Sequence, residues 1–157
     1  MKHLVVVVGV VALAGAGWRW HSQPSADVGM KDGGKLVADR LWIDHRPRND
    51  RDRFDVFAVL TRDKLTFFEK RSRWLLGMEL GTYELARTEL RVVFPQTGAK
   101  ETYKLIADKC HTDGFDYCLE MSGGTHGAKR YFSMKNWVFP PGSDMRSIDA
   151  VVESITP

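Results

Sequence analysis

Glu89-Leu90-Arg91-Val92-Val93-Phe94, then Pro95-Gln96-Thr97-Gly98, then Tyr103, Leu105 and Ala107 at alternate positions: this stretch decides the fold class. Leu90, Val92 and Phe94 alternate with Glu89 and Arg91, the two-residue period of a strand with one buried face. Pro95 and Gly98 stand where a four-residue turn prefers them. Tyr103, Leu105 and Ala107 carry the inward face of the returning strand.

The same rhythm extends in both directions. C-terminally, Asp113-Gly114 marks a hairpin, Phe115, Tyr117, Leu119 and Met121 form the next apolar face, residues 122–128 are a glycine-rich loop, and 129–139 read as an eighth strand. N-terminally, Met78, Leu80 and Thr82 begin a fourth strand, Leu65 to about Arg73 gives a third, and Arg62-Asp63-Lys64 a turn. Phe54, Val56, Ala58 and Leu60 form one face of a second strand. Before it lies a loop, 45–53, whose Pro47 blocks ladder pairing and whose Asn49-Asp50 suits a turn. Residues 35–44 read as the first strand, Leu36, Ala38, Arg40 and Trp42 alternating against Val37, Asp39, Leu41 and Ile43. The expectation is an all-β fold, an eight-stranded antiparallel up-and-down barrel over residues 35–139, closed so that no sheet edge is exposed. Pro140-Pro141-Gly142 ends the sheet. Ser143 reads as a helix cap, and Met145, Ile148, Val152 and Ile155 recur at helical steps, giving a short amphipathic helix within 140–157. A helix so short must dock, on the barrel's outside or at a mouth.

Lys2 and His3 precede an apolar run, residues 4–17. As a helix this run spans about 21 Å, short of the roughly 30 Å hydrocarbon core, so residues 1–17 read as a secretory signal, with Ala14-Gly15-Ala16 as a cleavage site. An uncleaved signal anchor, with Trp18 and Trp20 at the interface, is the alternative. Residues 18–34 read as a flexible tether. The expected location is exported, periplasmic or at the cell surface, with any membrane attachment through that anchor.

With Lys2 and Arg19 set aside, 21 basic residues face 20 acidic ones. So balanced a body argues against nucleic acid as partner. One local excess, including Arg46, Arg48, Arg51 and Arg53, reads either as a solvated loop or as a docking patch for an anionic polymer or lipid headgroups. Cys110 and Cys118 flank the Asp113-Gly114 turn on polar strand faces, and in an exported protein such a pair is expected to be a disulfide.

No catalytic constellation emerges. His45, His111 and His126 are widely separated, without the spacing of a metal site. There is no nucleophile elbow. Ser122-Gly123-Gly124-Thr125-His126-Gly127-Ala128-Lys129 leads into a strand, without the helix N-terminus a phosphate cradle needs. No cofactor or metal is expected, and the first expectation is a non-enzymatic protein, with an envelope enzyme that lacks a recognisable motif as the remaining alternative. Aromatic residues on every strand leave the interior either filled or hollow. If hollow, Trp42, Phe57, Phe67, Phe94, Tyr103, Tyr117 and Phe132 are the candidate liners for a small apolar ligand. If an envelope partner binds at the loops, Arg46, Arg48, Arg51, Arg53, His126, Lys129 and Arg130 are the candidate contacts.

The meander with its C-terminal helix resembles the lipocalin-like (calycin) architecture over residues 35–155. Lipocalins share a tryptophan on the first strand, a Thr-Asp-Tyr near the seventh, and an arginine on the last that packs over the tryptophan. Trp42, Asp116-Tyr117 and Arg130 fall in comparable places, with Arg40 where the family has glycine and Phe115 where it has threonine. That resemblance implies a binding barrel. A second resemblance, through Gly127-Ala128-Lys129-Arg130-Tyr131, is to periplasmic inhibitors of C-type lysozyme, and implies a loop that plugs an enzyme cleft.

Overall fold

In the computed structural model, which describes residues 33–140 and 142–156, the alternating segments form eight strands. They are β1 (Trp42–Ile43), β2 (Phe54–Leu60), β3 (Leu65–Ser72), β4 (Leu75–Leu85), β5 (Glu89–Val93), β6 (Lys100–Thr112), β7 (Phe115–Ser122) and β8 (Arg130–Ser133). Each pairs antiparallel with its neighbours in chain order, and β8 closes on β1 through Ile43 opposite Phe132, so the sheet is a closed barrel. The signal segment and all but the last two residues of the tether lie outside the described residues.

Both faces of the sheet are buried along β1 to β3. Inside the barrel, Trp42, Phe57, Val59, Phe68, Leu90, Val92, Phe94, Tyr103, Leu105, Leu119 and Tyr131 form one cluster. Outside it, Phe54, Val56, Ala58, Leu60 and Phe67 form a second, covered by Trp137, Phe139 and the helix α2 (Met145–Ile155) through Ile148 and Val152. The regular face predicted for β2 is therefore its outer one, and Phe57 and Val59 supply the inner.

The ends of the predicted barrel segment differ from expectation. Residues 33–37 form a helical turn, α1 (Gly33–Val37), and β1 is only two residues long. Asp39 breaks the run: its backbone takes a left-handed φ of 51°, and its carboxylate accepts from the backbone N and hydroxyl of Thr61. Trp42 Nε1 donates to Val37 O at 3.2 Å, tying the turn to the interior tryptophan. The eighth strand stops at Ser133, after which Trp137 and Phe139 turn onto the outer cluster. β4 begins at Leu75, earlier than predicted, because Ser72 Oγ accepts from the backbone N of Trp74 and Leu75 and reverses the chain tightly. At α2 the cap is Asp144, not Ser143: Asp144 accepts from Ser147 N, while the Ser143 hydroxyl donates to Pro140 O.

Buried charge also locks α2 in place. Glu69, whose side chain is 3% exposed, pairs with Arg71 at 3.3 Å, and Arg71 reaches Asp149 at 3.2 Å on the helix. Burial pushes the Glu69 carboxyl above its ordinary value, and Arg71 offsets part of that rise.

Cys110 and Cys118 form a disulfide across β6 and β7, with Cα atoms 5.6 Å apart. They are not directly opposite: Cys118 faces Asp108, and a bulge between Lys109 and Thr112 shifts the register. The extra residue on β6 brings Cys110 within reach. Closing a loop of about nine residues is worth about 2.5 kcal/mol. Cys118→Ser, with Cys110→Ser to avoid a free thiol, is expected to lower stability by that amount in denaturant unfolding without changing the strand content seen by circular dichroism.

Candidate functional site

An up-and-down barrel gathers alternate connections at each end. One end is closed by α1 and the β2–β3, β4–β5 and β6–β7 turns. The other is ringed by the 44–53 loop, the β3–β4 hairpin, the β5–β6 turn and the glycine-rich loop between β7 and β8. At this second end lies a half-open recess of about 360 Å³ lined by Asp55, Phe68, Lys70, Glu79, Thr125 and His126, among others.

Below the recess five aromatic rings pack against one another. Phe68 lies 5.1 Å from Phe57, 5.9 Å from Phe94 and 5.4 Å from Tyr103, ring centre to ring centre, and Phe57 lies 5.6 Å from Tyr131. Such tilted and offset contacts are the spacing of packed aromatic pairs. All five rings are at most 5% exposed.

The glycine-rich loop forms one lip, and a single carboxylate holds it. Glu101, on the inward face of β6, accepts from the Tyr103 hydroxyl, the Thr125 hydroxyl, Thr125 N at 3.1 Å and His126 N at 3.4 Å, and lies 2.9 Å from His126 Nδ1. Burial alone would push this carboxyl up, but the donors from Thr125, Tyr103 and His126 together bring it down to about 2. His126 Nε2 lies 2.7 Å from Glu79 across the recess, and the imidazole rests on Phe94 at 4.2 Å. The loop can lie this low because it lacks side chains at two points. A Cβ on Gly124 would stand 2.0 Å from the Tyr103 ring, and one on Gly127 (φ 76°) 2.3 Å from the Tyr131 hydroxyl.

Burial raises the hydroxyls of Tyr103 and Tyr131 well above the usual tyrosine range, the Glu101 carboxylate adding to the effect on Tyr103. The Tyr131 hydroxyl accepts from Ala128 N at 2.7 Å. Both phenols thus serve to position the loop. Burial and the neighbouring Asp44 carboxylate also raise Asp55. The recess combines an aromatic floor with walls of both charges, suited to one polar side chain or a small polar molecule.

Of the candidate liners, Trp42, Phe57, Phe94 and Tyr103 lie in the interior cluster and Tyr117 packs at its margin. Phe67 and Phe132 face the opposite way, into the outer cluster, so neither lines the interior. Of the candidate contacts, His126 sits in the recess, and Lys129 and Arg130 are exposed just beyond it. Arg48 is held by Asp52, and Arg51 and Arg53 are exposed in the 44–53 loop. Arg46 turns away to cover the Phe115 ring at 5.1 Å. Arg130 lies over Phe132, and it is Arg40 whose guanidinium stacks on Tyr117, at 4.3 Å.

Thr125 lies in the glycine-rich loop already singled out, whereas Glu79, Glu101 and Phe68 are not among the candidate site residues of the sequence. Glu101 carried a legible sign, since it shares the inward face with Tyr103, Leu105 and Ala107 and so points into the barrel. Glu79 carried none, since only the loop folding over the mouth brings His126 to it.

Compared with protein-family models, curated proteins and solved structures, the chain matches none of them.

Proposed function

We propose that this chain is an exported, non-enzymatic binding module that engages an envelope partner at the barrel mouth, with residues 122–131 as the principal contact. The observation that carries the reading is the Glu101 anchor. It holds the glycine-rich lip in one conformation beside the 360 Å³ recess, so a partner would not have to order the loop on binding. The packed rings of Phe57, Phe68, Phe94, Tyr103 and Tyr131 support the mouth over the interior as the place of binding. Export is supported by the apolar run 4–17 and by the disulfide, which suits an oxidising compartment. The lipocalin-like kinship rests on strand order and on the interior position of Trp42.

A second reading follows from the exposed Lys129 and Arg130 beside the pinned lip. A rigid loop bearing exposed cations suits the carboxylate-bearing cleft of a glycoside hydrolase, as in an inhibitor of C-type lysozyme. The two readings share a variant, Lys129→Glu with Arg130→Glu. In pull-downs from envelope extracts wild type is expected to retain a partner that the variant loses, and retention by both removes this segment as the contact. In a turbidity assay with C-type lysozyme, protection by wild type and not by the variant selects the inhibitor reading, and unimpeded clearing with both excludes it.

A further inference from the structure

The β3–β4 hairpin extends beyond the rim and carries an apolar tip. Trp74 is 73% exposed, Leu76 65%, Met78 44% and Leu75 40%, the largest concentration of exposed apolar side chains among the described residues. The other exposed apolar residues, Val93, Ile106 and Val138, are scattered. So contiguous a patch calls for a partner.

The pairing register shows what kind. Leu75 opposes Ser72, while Leu76 opposes Arg71 and Met78 opposes Glu69. Leu75 therefore projects from one face of the ribbon, Leu76 and Met78 from the other, and Trp74 stands at the turn. A protein surface or a second copy docking on one face would leave the other face's leucine in water, whereas a fluid apolar phase surrounds both.

Cations surround the base of the tip. Arg73 N donates to Asp50 O at 3.1 Å, joining the hairpin to the 44–53 loop. Phe54 opposes Arg71 and Asp55 opposes Lys70, which places Arg53 beside the turn. Arg51, Arg53 and Lys70 are exposed and make no ion pair among the described residues, whereas Asp52 is engaged by Arg48 and His45, and Asp50 lies 4.0 Å from Arg73. Tryptophan favours the bilayer interface, and clustered Arg and Lys favour anionic headgroups.

The geometry points to the β3–β4 tip as a membrane-docking element: Trp74, Leu75, Leu76 and Met78 insert into an anionic lipid surface while Arg51, Arg53, Lys70 and Arg73 contact its headgroups. The recess and the 122–131 lip share this rim, so the partner proposed above would be met at the membrane surface; the lipid test below reads the tip alone and stands whether or not that partner exists.

The test uses the full chain with vesicles of phosphatidylcholine alone or mixed with phosphatidylglycerol, carrying brominated acyl chains. Trp74 is the one exposed tryptophan among the described residues, Trp42 and Trp137 being buried. The emission difference between wild type and Trp74→Phe therefore isolates the tip from any association through residues 4–17. Bromolipid quenching of that difference is expected with phosphatidylglycerol vesicles. Each cation removed from an anionic surface weakens association about fivefold, so Arg51→Glu, Arg53→Glu and Arg73→Glu together should weaken the quenched state about a hundredfold or more. Absence of quenching in any vesicle overturns the proposal. Equal quenching with and without phosphatidylglycerol overturns the anionic assignment. A Trp74 emission that shifts to the blue with protein concentration, without vesicles, overturns it in favour of a second copy.

Discussion

Phe68→Ala is expected to destabilise the barrel by about 3–5 kcal/mol, the cost of removing a buried aromatic ring from a packed core. Phe68 touches Phe57, Phe94, Tyr103 and His126, so its loss removes the ring that connects the interior stack to the recess. In a domain of this size the midpoint of thermal unfolding should fall by on the order of 10–20 °C. The space left behind is lined by aromatic and aliphatic side chains, and such cavities stay dry and accept apolar probes. Addition of benzene should therefore raise the variant's midpoint and leave that of wild type unchanged. A wild-type response of equal size would mean that the native interior already has room.

Glu101→Ala is the second large effect. It leaves Thr125 N, His126 N and the Tyr103 hydroxyl without their acceptor at the rim. Unpaired groups of this kind cost about 1–3 kcal/mol each when they stay buried. Because the loop can lift and let water in, the net loss should be about 2–3 kcal/mol, with amide exchange across residues 123–128 accelerating far more than in the strands. Unchanged exchange there would show that the loop is held by something else. The same carboxylate sets a pH dependence. Its folded value is about 2 against an ordinary 4.5. The folded state thus binds the proton less well than the unfolded one, and the stabilisation is complete above about pH 4.5 and lost as pH falls towards 2. Asp55 and Glu69, raised by burial, act in the opposite sense. The informative measurement is therefore the difference between wild type and Glu101→Gln, which should shrink as pH falls through that window; a constant difference would contradict the anchoring role.

The architecture was legible wherever one strand face is wet. β5 and β6 match the alternation of Leu90 and Val92 and of Tyr103, Leu105 and Ala107. Asp113-Gly114 forms the expected tight turn, both residues at positive φ. Legibility failed where both faces are buried. Leu41, Trp42 and Ile43 are all fully buried, so the two-residue rhythm carries no information about where β1 begins, and α1 is indistinguishable from strand in the sequence. Phe67 and Phe132 read as interior residues for the same reason: α2 and Trp137 make the outer face of the sheet as apolar as the inner. The site was less legible than the fold. The glycine-rich loop stood out by composition, but its meeting with Glu101 and Glu79 depends on long-range packing that no local pattern encodes. The hairpin tip was hidden because β4 was expected to start at Met78, which left Trp74, Leu75 and Leu76 in a turn.

If binding is confined to the rim, as proposed, the protein should purify with nothing inside the barrel. Native mass spectrometry of the protein purified without detergent tests this most directly. The expected mass is that of the oxidised chain alone. A co-purifying apolar molecule that stays bound until the barrel unfolds would contradict it.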